Sequence, residues 1–296
     1  MSPIKIALSA VTLLALAACN LPGTPAQPTA TSIMLPAATQ TTAPAVATDE
    51  AAAPTPSGEV ALEAILIGSP GFASAISSPV TVSGQSRPTF EQNLVIAIYD
   101  EAGNQIALTP TTIAAEAGSP GPFSVELHFP VSEEQPGRVA VMETSALDGG
   151  IVHLTSVEVT LLPGGEARLL PQPVASENIA IQSPGPNSSI AGGSLTVSGF
   201  SAYYFESNLG LLLCGVGAGP SVEASPLAHS ICGDASVLAS SFASIAAPDI
   251  GQPGPFSGTL SWSVSQAVPG RIVLYAESMR DGGLLHLSSI PVLIQP

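Results

Sequence analysis

Short stretches in which every second residue is apolar recur along residues 61–295, and Gly, Pro, Asn or Asp closes most of them. Val80 and Val82 alternate with Thr81 and Ser83, while Val125, Leu127 and Phe129 alternate with Ser124, Glu126 and His128. Successive side chains of a strand point to opposite faces, so each such segment has one apolar face. The pattern predicts strands near 61–67, 79–83, 94–99, 123–129, 138–144 and 151–161. A second set is predicted near 178–182, 194–198, 209–214, 256–263, 271–277 and 284–294. Asp148-Gly149 and Asp281-Gly282 are hairpin signals, because Asp-Gly readily takes the positive φ angles of a tight turn. Pro136-Gly137 and Pro269-Gly270 turn the chain into the strand before each of those hairpins. Many short strands punctuated by turn residues predict an all-β fold of the sandwich type.

The second set of strands is a copy of the first. Ser69-Pro70-Gly71 returns as Ser183-Pro184-Gly185, and Val-Thr-Val-Ser-Gly at 80–84 returns as Leu-Thr-Val-Ser-Gly at 195–199. Phe90-Glu91-Gln92-Asn93-Leu94 returns as Phe205-Glu206-Ser207-Asn208-Leu209. Pro120-Gly121-Pro122-Phe123-Ser124 returns as Pro253-Gly254-Pro255-Phe256-Ser257, and Pro136-Gly137-Arg138 as Pro269-Gly270-Arg271. Asp148-Gly149-Gly150, with His153 behind it, returns as Asp281-Gly282-Gly283 with His286. The offset is about 115 residues early in the repeat and 133 late in it, so the second copy carries a net insertion of 18 residues between Leu209 and Pro253. The reading is two tandem sandwiches, at 59–163 and 178–296. The segment 164–177 is a linker short enough to hold them end to end with little freedom.

Charge excludes one class of partner, and the N-terminal residues predict export. It has 22 acidic residues against six basic ones, a formal charge of −16. A nucleic-acid-binding face needs clustered Lys and Arg, so nucleic acid is not an expected partner. The only lysine, Lys5, precedes an apolar run from Ile6 to Ala18, the layout of a signal peptide. That run ends in Leu16-Ala17-Ala18-Cys19, which resembles the lipobox of bacterial lipoproteins. The resemblance implies cleavage after residue 18 and acylation of Cys19, with diacylglycerol on the thiol and a further acyl chain such as palmitate. Two or three chains anchor stably where one does not. Residues 20–58 then hold seven Pro, eight Thr and ten Ala without an aromatic residue. Such a stretch cannot bury enough apolar surface to offset its conformational entropy, so 19–58 is expected to be a disordered, lipid-anchored tether. The expected location is extracytoplasmic, on the cell membrane or the outer membrane.

The order Ser-Pro, Val-Ser-Gly, Phe-Glu-x-Asn-Leu, Gly-x-Phe-Ser and Asp-Gly before a closing strand resembles the immunoglobulin-like domain associated with bacterial spore germination proteins. The resemblance spans about residues 61–162 and 178–295. It implies a small immunoglobulin-like β-sandwich on secreted or lipid-anchored envelope proteins, with an adhesive or assembly role, and it carries over no catalytic residue. The doubling and the insertion depart from the family pattern, so no germination role is inferred.

Candidate chemistry is sparse. Cys214 closes a predicted strand and Cys232 stands 18 residues on, inside the insertion; an exported chain meets oxidising conditions, so a disulfide is expected. A metal site on the same two cysteines with His229 lacks a fourth ligand at usual spacing. The Gly-, Ala- and Ser-rich insertion reads as an exposed loop pinned by that bridge, a common kind of binding surface. Phe90 and the cluster Tyr203-Tyr204-Phe205 are candidate ligand contacts, since aromatic rings stack on sugars or fill protein pockets. The alternative is that Phe90 and Phe205 plug the two cores beside solvated Glu91 and Glu206. His153 and His286 follow their Asp-Gly turns at one spacing, without a recurring nucleophile, and read as a polar face of each closing strand. Asp100 to Asn104 reads as a turn. No catalytic residue, cofactor or metal is expected. The function expected is a non-catalytic envelope lipoprotein that presents tandem modules for protein or cell-wall binding or assembly. A purely structural stalk, or an envelope hydrolase, is the alternative.

Overall fold

Turn residues set the strand ends, and apolar alternation sets which face each strand buries. In the computed structural model, residues 62–202, 204–249 and 251–296 are described, all within one compact unit. The leader, Cys19 and the tether lie outside the described residues, as does Tyr203. The first half runs through β1 (Ile65–Ser69), β2 (Ser74–Ser77), β3 (Val80–Ser86), β4 (Asn93–Tyr99), β5 (Gln105–Thr112), β6 (Gly121–Leu127), β7 (Gln135–Thr144) and β8 (Ile151–Leu162). The second runs through β9 (Ile179–Ser183), β10 (Ser188–Ile190), β11 (Ser194–Ser201) and β12 (Asn208–Gly215). It continues with α1 (Pro226–Cys232), β13 (Ser236–Ile245), β14 (Gly254–Ser261), β15 (Val268–Glu277) and β16 (Leu284–Ile294). The fold is all-β, as the alternation predicts.

In the first half the antiparallel sheet β1-β3-β6 faces the antiparallel strands β5-β4-β7-β8, with β2 running parallel beside β8. Ile65, Val82, Ile96, Phe123, Val141 and Leu161 fill the space between the two layers. The second half repeats this with β9-β11-β14 against β13-β12-β15-β16, and its core holds Val197, Leu211, Phe256, Trp262, Ile272 and Ile294. The repeated Val-Ser-Gly is explained by close approach. A Cβ at Gly84 would collide with the Leu66 carbonyl and the Phe123 ring, and one at Gly199 with the Ala180 carbonyl and the Phe256 ring.

The halves do not meet end to end. β8 and β16 pair antiparallel, with Leu154 opposite Leu287, His153 opposite Ser288 and Thr155 opposite His286. In the second half β13 also pairs with β14, so one sheet of 13 strands passes through both halves. A third apolar cluster seals the junction: Ala97, Ala140, Met142 and Leu154 from one half, and Leu212, Val273, Tyr275 and Leu287 from the other. These positions alternate with those facing the two sandwich cores, so β4, β7, β12 and β15 bury both faces. Residues 164–176 lie along the first half. Arg168 bridges to Ala75 and Ser176 to Leu62, and the Leu170 N–H donates to Ser74 Oγ at 2.9 Å.

Most of the insertion is exposed, as its composition predicts, with only Ala228 buried among 217–230, but its end is folded and packed. Aligned at the later offset, β13 is the counterpart of β5, so the extra residues replace the Asp100–Asn104 turn. They form α1, capped by Ser225 Oγ accepting the Ala228 N–H at 3.1 Å, with Pro226 opening the helix. Ala228, Ile231 and Cys232 are buried in the junction cluster. The apolar i, i+3, i+4 spacing of these three gives α1 one face to bury.

Candidate functional site

The repeated motifs meet across the junction as crossed pairs. Gly149 and Gly282 take φ of 68° and 67°, completing the turns that the sequence announces. Within each turn the Asp side chain accepts the N–H two residues on, Gly150 to Asp148 and Gly283 to Asp281, both at 3.0 Å. That fixes each carboxylate so that it faces the other half. Arg138 Nη1 lies 3.1 Å from Asp281 Oδ2, and Arg271 Nη1 lies 2.6 Å from Asp148 Oδ2. The first pair is sealed from solvent, with side-chain exposures of 1% and 0%. Space for each guanidinium comes from the second glycine, because a Cβ at Gly283 would collide with Arg138 Nη2 and one at Gly150 with Arg271 Nη2. Burial pushes the Asp281 carboxyl up. The Gly283 N–H, the Ser278 hydroxyl and Arg138 outweigh that and hold it at about 2. Arg138 also lies over the Tyr99 ring, 5.3 Å from its centroid.

Near the Leu154–Leu287 pairing, four more buried side chains converge. Glu63, just before β1, lies 2.8 Å from His153 Nε2, and Glu177, just before β9, lies 2.9 Å from His286 Nε2. Each histidine also faces the other carboxylate at 4.0 Å. The imidazole rings are edge-on, with centroids 5.2 Å apart and planes at 89°. The remaining carboxylate oxygens are held by backbone in a crossed manner. The Ala64 N–H donates to Glu177 Oε2 at 3.1 Å, and the Asn178 N–H donates to Glu63 Oε2 at 3.3 Å. Ser288 Oγ donates to Glu177 Oε1 at 2.7 Å. Burial raises the Glu177 carboxyl, but hydrogen bonds from His286 and Ser288 and the charges of both histidines hold it well below its usual range. The Tyr204 hydroxyl is pushed far up by burial and by the negative charges of Glu63 and Glu177.

Two clefts open on either side of this tetrad. One, of about 490 Å³, is lined by Leu62, Glu63, Arg87, His153, Glu177 and Ile290, among others. The other, of about 480 Å³, includes Phe72, Glu158, Tyr204, Met279, Arg280 and His286. Both take residues from each half.

Cys214 and Cys232 form a disulfide with Cα atoms 5.5 Å apart, tying the end of β12 to the end of α1. The residues after it reach the first half: the Asp234 N–H donates to the Asp148 carbonyl at 2.7 Å, and Gly233 bridges Gly149. His229 on α1 is exposed. Phe90 does not plug a core. It is 60% exposed at the head of a 3-10 turn in which Glu91 and Gln92 take positive φ. The buried member of that motif is Gln92, whose Nε2 donates to the carbonyls of Glu116 and Ser119. Tyr204 packs against the second core, whereas the Tyr203 position and the Phe205 side chain lie outside what is described. Sequence reasoning did not single out Glu63, Glu177, Arg138 or Arg271 as contacts. The available signal was that in a chain with six basic residues, two arginines and two aspartates occupy matching repeat positions, and each glutamate stands six residues before a Ser-Pro-Gly.

The fold and the site define an all-β, immunoglobulin-like sandwich protein. Residues 64–150 match the family model described as the immunoglobulin-like domain of bacterial spore germination, so the first half is similar to that domain. The similarity points to a binding or structural role rather than to catalysis. No curated protein matches the sequence. Similar solved structures include red sea bream transglutaminase, at 13% identity over 79% of this chain and 31% of that one, with a TM-score of 0.25. Dimeric latent PorU from Porphyromonas gingivalis is 7% identical over 78% of this chain and 24% of that one, TM-score 0.22. The S. aureus collagen adhesin is 7% identical over 80% and 93%, TM-score 0.17. The chain spans about a third of the transglutaminase and about a quarter of PorU. Likeness at this level bears on neither activity nor partner.

Proposed function

We propose that the protein is a cell-envelope lipoprotein, anchored through Cys19, whose paired sandwiches form a single non-catalytic module for binding or assembly at the envelope. The observation that supports this best is the composite junction. Two sandwiches share one sheet, and their contact creates clefts that neither half has alone. Exposed apolar side chains stand at the second cleft, where Phe72 and Met279 are 62% and 67% exposed beside Tyr204 and Arg280. Clefts that mix aromatic, aliphatic and a few charged groups suit a glycan or a peptide segment. The titratable groups of the junction are engaged with one another, which favours binding over hydrolysis. Exposed Phe90 is a second contact of the same kind.

The test is co-sedimentation of the purified full-length chain with cell-wall sacculi, together with cross-linking to envelope proteins in cells. Saturable retention that falls at least tenfold in Phe72→Ala/Met279→Ala, with stability unchanged, supports binding at the cleft. Retention and cross-links that are absent, or indifferent to those substitutions and to Phe90→Ala, favour the stalk. Release of the chain to the soluble fraction by Cys19→Ser checks the anchor separately.

A further inference from the structure

We propose that Glu63, His153, Glu177 and His286 are the four ligands of a structural divalent transition-metal site, of the kind that takes Zn²⁺, built across the junction. Each half contributes one carboxylate and one imidazole from matching repeat positions. Two nitrogen and two carboxylate donors suit Zn²⁺ or Co²⁺, whereas Mg²⁺ and Ca²⁺ take all-oxygen sets. The ligand atoms lie within 4.8 Å of one another. His153 and His286 approach Glu63 and Glu177 at 2.8 and 2.9 Å, and Glu177 and Glu63 at 4.0 Å in turn, the 4.0 Å approach of His153 being to the second oxygen of Glu177. A tetrahedron with bonds of about 2.0 Å has edges of about 3.3 Å. Binding draws these atoms, now within 4.8 Å of one another, in around one point.

The surroundings are organised for this. Both imidazoles direct Nε2 at the carboxylates, and their perpendicular planes let two lone pairs converge on one point. The described hydrogen bonds of His286 are both made by Nε2, to Glu177 and Ser288, so a metal bound there takes the place of the proton shared with Glu177 and the ring proton moves to Nδ1. The Ala64 and Asn178 N–H groups fix the second carboxylate oxygens, the outer-shell support that metal-binding carboxylates commonly have. Both arginines of the junction are engaged by Asp281 and Asp148. The carboxylates of the tetrad, 3% and 12% exposed, are paired only with the histidines in the described ion pairs. A dication balances the charge of the two carboxylates. The cleft beside Glu63, His153 and Glu177 gives an ion its way in. Four protein ligands leave no open position for substrate, so the metal holds the halves together and performs no chemistry.

The experiment uses the full-length chain, stripped with a chelator and titrated with Zn²⁺, with Mg²⁺ and Ca²⁺ as controls. The expected result is one Zn²⁺ per chain and a Tm rise of about 5–10 °C at a hundredfold excess over Kd. Mg²⁺ and Ca²⁺ give no shift. Co²⁺ substitution gives the intense visible absorption of a tetrahedral site. His286→Gln and Glu177→Gln each weaken binding by about 100-fold or more, while His229→Gln, on the exposed face of α1, leaves it intact. Absence of one-to-one Zn²⁺ or Co²⁺ binding to the folded wild-type chain overturns the proposal and leaves a hydrogen-bonded tetrad. Binding that survives both ligand substitutions overturns it equally, since the ion then sits elsewhere.

Discussion

Removing one member of the sealed crossed pair is the sharpest perturbation of the junction. Asp281→Ala leaves the Arg138 guanidinium, 1% exposed, without its carboxylate and too deep to be rehydrated. Stranding a buried charge costs about 3–5 kcal/mol, more than the pair contributes relative to apolar residues of the same volume. In a domain of this size each kcal/mol moves Tm by about 2–4 °C, so thermal unfolding followed by circular dichroism should show a fall of roughly 6–20 °C. Removing both charges as Arg138→Met/Asp281→Leu should recover most of that loss, because no charge is then left unpaired. Arg87→Ala is the control. Its pair with Glu143 spans 3.4 Å with Arg87 44% exposed, and exposed pairs contribute less than about 1 kcal/mol. A buried-charge penalty is ruled out if Asp281→Ala costs no more than Arg87→Ala, or if the double variant loses the sum of its two single losses.

Other outcomes follow from the same contacts. Gly283→Ala pushes a methyl group into Arg138 Nη2 and should cost about 1–3 kcal/mol in urea unfolding, whereas Gly164→Ala, with open space around it, should change nothing measurable. Reducing the Cys214–Cys232 bridge opens a loop with a sequence separation of 18 and should lower stability by about 3 kcal/mol. Because that bridge also positions Gly233 and Asp234 against the first half, hydrogen exchange at residues 148–150 should quicken on reduction. The Asp281 carboxyl faces Arg138 and Arg280, with Asp100 nearby, and is held at about 2 when folded against an ordinary value of 3.8. A carboxyl depressed by folding stabilises above its unfolded value, so that contribution should be complete above about pH 5 and drain between pH 4 and 2. Denaturant midpoints across pH 2–6 read it, and Asp281→Asn should flatten that part of the profile.

Strands with one polar face were legible because alternation is a local property. Val80 to Ser83 and Ser124 to Phe129 announce which side meets the core. The junction was less legible, although its trace is there. Leu94-Val95-Ile96-Ala97-Ile98 and Leu211-Leu212-Leu213-Cys214 are apolar at every position, the pattern of strands covered on both faces. What covers the second face depends on contacts more than a hundred residues away, and sequence spacing does not supply it. The matched His153 and His286 were visible as a repeat, but their glutamate partners precede β1 and β9 and meet them only once the sheet is built. β5 escaped because Pro110 and its polar neighbours read as loop; an edge strand paired only to β4 tolerates them. In the insertion, composition favoured a solvent-facing loop. That holds for most of 217–226; what composition did not reveal is the helical spacing of Ala228, Ile231 and Cys232, the three residues α1 buries.

The pairing of β8 with β16 and the shared apolar cluster make the two sandwiches one folding body. Differential scanning calorimetry of the oxidised chain should therefore show a single endotherm whose calorimetric and van't Hoff enthalpies agree, shifted as a whole by Asp281→Ala. Two resolved endotherms, with the substitution moving one and leaving the other in place, would contradict it.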